Sequence, residues 1–120
     1  MKEVTIYEYA KCNTCRKALK YLEANQIPYQ KIPIVDQPPP KKVLETALTQ
    51  FDGAFKKLFN TSGLVYREMK ISQKIKTMTA DDALALLAAN GKLVKRPFVL
   101  TEKGVLAGFN EATWDTIFKG

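Results

Sequence analysis

Histidine is absent from this 120-residue chain, which removes imidazole as general base, metal ligand and switch near neutral pH. Cysteine is scarce. The two present, Cys12 and Cys15, are too few for a disulfide scaffold, so their spacing matters more than their number. Two cysteines without histidine fall short of the four ligands of a structural zinc site. Haem attachment needs histidine after the second cysteine, and position 16 is arginine. Long apolar runs are also missing: the richest, Ala83 to Ala89, is short and follows two aspartates. Thr5, Glu8 and Lys11 interrupt the opening residues, which therefore do not resemble a secretory leader. A cytoplasmic protein with no membrane role is expected.

What is present suits a folded, soluble chain. Hydrophobic residues make up 46% and charged residues 26%, enough for the core of a single domain of common size. The formal charge is +7 and the sequence pI about 9.4. A basic balance attracts acidic partners whatever the fold. Here the lysines are spread along the chain, and the one dense stretch, Lys92 to Arg96, has no interleaved aromatic residues on which bases could stack. A basic, solvated surface is the better reading; direct nucleic-acid binding is not expected, and the chain is expected to be a monomer.

Hydrophobic pattern and turn chemistry order the elements. Val4 to Tyr7 reads as a strand and Ala10 to Cys15 as a polar turn. Arg16 to Asn25 reads as a helix with Ala18, Leu19 and Leu22 on one side. Tyr29 to Val35 reads as a strand in which Pro33 implies an edge or an irregularity. Gln37 to Pro40 breaks the chain, and Pro40 starts a helix from Lys41 to Gln50 with a stripe of Val43, Leu44, Ala47 and Leu48. A short helix is expected over Ala54 to Phe59, followed by a turn at Asn60 to Gly63. Thr79 to Asp82 opens a further helix that Asn90-Gly91 stops. Phe98 to Thr101 and Val105 to Ala107 form a hairpin, and Asn110 caps a last helix, Glu111 to Phe118, burying Trp114 and Ile117. The order βαβ, a helical middle and ββα is that of an α/β thioredoxin-like fold of the glutaredoxin type. One domain over 1–120, with a helical insertion at about 38–92, is expected.

On that frame Cys12 leaves the first strand and Cys15 falls in the first helical turn. Free amides and the positive end of the helix dipole stabilise an ionised Cys12 sulfur there, and Lys11 and Arg16 add positive charge. The thiolate is the nucleophile, and Cys15, three residues on, can attack a mixed disulfide formed at Cys12. Two inert buried thiols are the bland alternative. Arg96-Pro97 precedes the third strand, where a thioredoxin fold places a proline across from the cysteine turn, often cis. Arg96 can address Cys12 or an anionic substrate through its planar fork, or can be a surface arginine in a basic stretch. Asn60 to Gly63 can offer amides and hydroxyls to an anion, or can be only a turn.

Thr5-Ile6-Tyr7, Cys12-Asn13-Thr14-Cys15-Arg16-Lys17-Ala18, Phe59 to Gly63 with Tyr66-Arg67, Lys95-Arg96-Pro97 and Gly108 to Glu111 occur in this order along nearly the whole chain. Together they resemble the arsenate reductase (ArsC)/Spx/MgsR family, and within it a reductase-like branch. The resemblance implies a thioredoxin-like fold with a helical insertion and Cys12 as reactive thiol. It implies an oxidoreductase, with Cys12, Cys15 and Arg96 as catalytic residues and Lys11, Asn13, Thr14, Asn60 and Pro97 as substrate contacts. No bound cofactor is implied; glutathione with glutaredoxin, or thioredoxin, is the implied electron donor, and a thiol or an oxyanion the substrate. The family's regulators imply the alternative, a redox switch that binds RNA polymerase, and there Cys12-x-x-Cys15, Gly53, Arg96-Pro97 and Gly108 to Glu111 agree. Its arsenate reductases imply a third, but they hold arsenate with several arginines and usually carry serine where Cys15 stands. Here only Arg96 is clearly matched, with Asn60 and Phe109 at the other positions.

Overall fold

The computed structural model describes residues 3–119. In chain order its elements are β1 (Val4–Glu8), α1 (Asn13–Ala24), β2 (Tyr29–Pro33), α2 (Lys41–Gln50), a 3₁₀ turn (Phe55–Leu58), α3 (Leu64–Glu68) and α4 (Ile71–Lys74). Then follow α5 (Ala80–Ala89), a second 3₁₀ turn (Gly91–Leu93), β3 (Phe98–Thr101), β4 (Gly104–Ala107) and α6 (Glu111–Phe118). Two compact units divide these elements: residues up to Pro33 with those from Arg96 onward, and Ile34–Lys95.

The first unit is a four-stranded mixed sheet in the order β2-β1-β3-β4. β1 pairs parallel with β2, Val4 opposite Tyr29, and antiparallel with β3, Ile6 opposite Val99. β3 and β4 form the expected hairpin, Thr101 opposite Gly104. Pro33 costs no ladder bond because β2 is an edge strand and ends there. Ile6, Val99 and Leu106 of the sheet meet Ala18 and Leu22 of α1 and Trp114 of α6 in one buried cluster. Around Trp114 the rings of Tyr21, Phe109 and Phe118 pack edge-on or tilted, the tightest pair being Phe109–Trp114 at 4.8 Å between centroids. The indole Nε1 donates to the Gly108 carbonyl at 3.3 Å, so the cluster hides no unpaired donor. Asn110 caps α6 as expected, its Oδ1 accepting from the Thr113 amide at 3.0 Å. Trp114 is buried; Ile117 is half-buried against the same cluster.

The second unit is built from short helices and tight turns. Pro40 stands as the N-cap of α2, which buries Leu44 and Ala47. Thr79 and Asp82 close a reciprocal capping box at the start of α5. Phe59 bridges Val94, flanked by bonds from the Asn60 amide to the Leu93 carbonyl (2.7 Å) and from the Lys95 amide to the Leu58 carbonyl (2.8 Å).

Several expectations need correction. Helix α1 starts at Asn13, three residues before Arg16, because the Cys12 side chain itself supplies the cap. The second strand stops at Pro33, not Val35, and the segment expected as a helix from Ala54 is a four-residue 3₁₀ turn. Helices α3 and α4 escape the sequence because five and four residues are too short to show a period. Asn90-Gly91 does end α5, but not by a left-handed glycine. Asn90 is extended at φ −144° and caps the following 3₁₀ turn, accepting from the Lys92 amide at 3.0 Å. Gly91 is needed for close approach: a Cβ there would collide with the backbone carbonyl of Ile34.

Candidate functional site: the cysteine turn

The chain leaves β1 at Glu8 and enters α1 at Asn13, and that short connection places Cys12. Tyr9 accepts from the Cys12 amide through its carbonyl at 3.0 Å, which closes the turn. Cys12, at φ −96° and ψ 115°, occupies the N-cap position. Its Sγ takes the place that a serine or aspartate oxygen fills in most helices, accepting from the Cys15 amide at 3.3 Å. The Cys15 amide thus points at this sulfur at the N-terminal end of α1. Cys12 is partly exposed, whereas Cys15 is 1% exposed and faces the interior.

The two thiols are therefore unequal. Burial pushes the Cys15 thiol up to about 12, and its hydrogen bond to Cys12 adds to the rise. A backbone hydrogen bond from Tyr9 pulls it back, the charge of Cys12 pushes it further up, and the positive charge of Arg96 pulls it down. At neutral pH Cys15 is a protonated donor beside Cys12. Arg96 is half-buried, and its guanidinium carbon stands 4.7 Å from the centroid of the Tyr9 ring. The Arg96-Pro97 peptide is cis, and Pro97 is buried where it leads into β3.

Other candidates fall into two groups. Asn13 opens α1, and its Oδ1 accepts from Arg16 Nη1 at 3.1 Å while Arg16 Nε donates to the Ala10 carbonyl at 3.1 Å. Arg16, read from the sequence as added charge, is thus a brace across the turn. Lys11 and Thr14 are exposed on either side of Cys12. Asn60 belongs to the second unit, where its backbone bonds Leu93 and Gly63 and its side-chain amide lies over Gly63. Phe109 is committed to the aromatic cluster against Tyr21 and Trp114. Among the described residues, no group of three or more histidines, cysteines, aspartates or glutamates could hold a metal ion. No helix among them is long and apolar enough to cross a membrane.

Tyr9 is the residue that sequence reasoning missed. Its backbone bonds to both cysteines and its ring to Arg96 are visible only once the turn is folded. An aromatic residue directly after an alternating strand and three before a cysteine was the available signal.

A mixed sheet with a Cys-x-x-Cys turn opening its first helix, faced by an Arg-Pro ahead of β3, defines a thioredoxin-like fold. The chain belongs to the ArsC family, whose model matches residues 7–117. It is 43% identical over 108 residues to the uncharacterised protein YusI of Bacillus subtilis, covering 90% of this chain and 92% of YusI. To the global transcriptional regulator Spx of Enterococcus faecalis it is 28% identical over 108 residues, covering 90% of this chain and 80% of Spx. An ArsC family related protein from Bacteroides fragilis superposes with a TM-score of 0.90 at 45% identity, covering 97% of this chain and 98% of that one.

Proposed function

We propose that this protein is a thiol-disulfide oxidoreductase in which Cys12 attacks and Cys15 resolves. The observation that carries the reading is the unequal pair: a partly exposed Cys12 sulfur capping α1 and a buried, protonated Cys15 hydrogen-bonded to it. In the first step the Cys12 thiolate attacks one sulfur of a substrate disulfide, the substrate S–S bond breaks, and one substrate thiolate leaves. Capping Cys12 removes its negative charge, and with it two of the influences that hold the Cys15 proton in place. What remains against burial is the Tyr9 backbone bond and the Arg96 charge, both of which favour the Cys15 thiolate. Cys15 then gives its proton to solvent and attacks Cys12 Sγ. A Cys12–Cys15 disulfide forms, and the second substrate thiolate departs to take up a proton. The substrate gains two electrons, and an external thiol donor (glutathione with glutaredoxin, or thioredoxin) must return them. Pro97 is buried and acts from behind the turn, through the backbone that leads into β3; Lys11, Asn13 and Thr14 are exposed and flank the sulfur that meets substrate.

The test is release of thiopyridone from dithiodipyridine, an uncharged disulfide, by the reduced protein. The wild type should release one thiol rapidly and a second in a slower phase. Cys15→Ala should stop at the mixed disulfide, Cys12→Ala should lose the rapid phase, and Arg96→Ala should slow the second phase. A wild type that remains a stable mixed disulfide at Cys12 overturns the proposal.

The likeness to Spx supports a second reading, a redox-sensing regulator that binds RNA polymerase. Gly53, in the second unit, adopts φ +82° with open space where a side chain would stand. Retention of the protein by purified polymerase in one redox state and not the other supports this reading, and no retention in either state removes it. Arsenate reduction ranks third, since Phe109 is packed among rings and a lone Arg96 is a poor cage for a doubly charged oxyanion. A glutathione-coupled assay without arsenate-dependent turnover disposes of it.

A further inference from the structure

The Arg96 guanidinium lies against the Tyr9 ring. An arginine side chain is long and rotamer-rich, and holding its head in one place costs entropy. A carboxylate partner would hold it but would also cancel its field at the sulfurs. An aromatic face lies under the Arg96 guanidinium, 4.7 Å from ring centroid to guanidinium carbon. A ring attracts the cation through its quadrupole and carries no net charge, so the guanidinium is held while its positive charge stays available. The ring is itself fixed. The Tyr9 carbonyl binds the Cys12 amide at 3.0 Å, and a backbone hydrogen bond ties Tyr9 to the Cys15 thiol. One residue therefore touches both cysteines through its backbone and, through its side chain, the cation whose charge acts on Cys15.

We propose that Tyr9 is a positioning residue whose ring holds the Arg96 guanidinium at the cysteine pair and so accelerates the closure of Cys15 onto Cys12. The inference rests on the thiol-disulfide reading above. In the accelerated step the Cys15 proton goes to solvent, the Cys15–Cys12 bond forms, the bond from Cys12 to the substrate sulfur breaks, and the substrate thiolate leaves. The guanidinium acts on the Cys15 anion before bond formation, and the ring acts only through the guanidinium.

The experiment follows the second phase of thiopyridone release from dithiodipyridine in wild type, Tyr9→Phe, Tyr9→Leu, Arg96→Ala and the Tyr9→Leu/Arg96→Ala double variant, with thermal melting as a check on folding. Tyr9→Phe keeps the ring face and should retain the wild-type rate. Tyr9→Leu keeps bulk without the quadrupole and should slow the second phase about threefold to tenfold. The double variant should be no slower than Arg96→Ala alone. If Tyr9→Leu slows closure equally in both backgrounds, the ring serves only the loop and the inference is overturned. A slow Arg96→Ala beside a wild-type Tyr9→Leu overturns this inference and leaves the proposed function standing. A wild-type rate in Arg96→Ala removes Arg96 from the proposed function, and the inference with it.

Discussion

The two compact units are held by different means. The first joins strands distant in sequence and fills the space behind them with large rings: Tyr21, Phe109, Trp114 and Phe118 pack on one another behind β1 and β3. The second is assembled from short helices and tight turns, with a proline start and a capping box, and is tied across the sequence by an isolated bridge between Phe59 and Val94. At Gly91 backbone meets backbone, with the Ile34 carbonyl where a Cβ would stand. The lesson is that tolerance should differ in kind. A ring cluster can lose a polar bond or shift a rotamer, whereas a backbone contact has nothing to move.

The contrast is most exposed at the glycines of the second unit. Gly91→Ala should destabilise the protein by about 2–4 kcal/mol in denaturant unfolding, because the added Cβ meets a backbone carbonyl. Gly53→Ala should cost only about 1 kcal/mol, the penalty of a left-handed residue in open space. Equal costs at the two sites would break the distinction. In the first unit the sharpest probe is alkaline. Cys15 is held above the ordinary thiol range in the folded chain, so its contribution is fully present below that range. It is lost as pH rises from there towards about 12. The fall in stability between neutral pH and pH about 10 should therefore be shallower in Cys15→Ala than in wild type. The raised tyrosines Tyr7, Tyr21 and Tyr29 are common to both proteins and cancel in the comparison. An identical fall would mean that the Cys15 proton is not held by the fold.

Legibility in the sequence followed the same division. Strand alternation, the hairpin and the Asn110 cap are carried by residue types with strong local meaning, and the first unit was readable almost to its ends. The cysteine spacing and the Arg-Pro pair were readable for the same reason. Helices α3 and α4 were not, since Leu64–Glu68 and Ile71–Lys74 are too short to establish a period. Gly91 was read as a helix stop because a glycine after a helix is usually one; its true neighbour, Ile34, is distant in sequence. Only the position of Tyr9 hints at its role, because that role is three contacts at once, two of them through backbone atoms that any residue possesses. Arg16 reads as charge in the sequence, and the loop carbonyl of Ala10 makes it a brace in the fold.

The division of labour between the two sulfurs is open to one direct reading. Reduced, native protein is treated briefly with limiting iodoacetamide at neutral pH, quenched, and mapped by peptide mass. The label is predicted on Cys12, with Cys15 modified only after unfolding. Label on Cys15 first, or equally on both, would contradict the account.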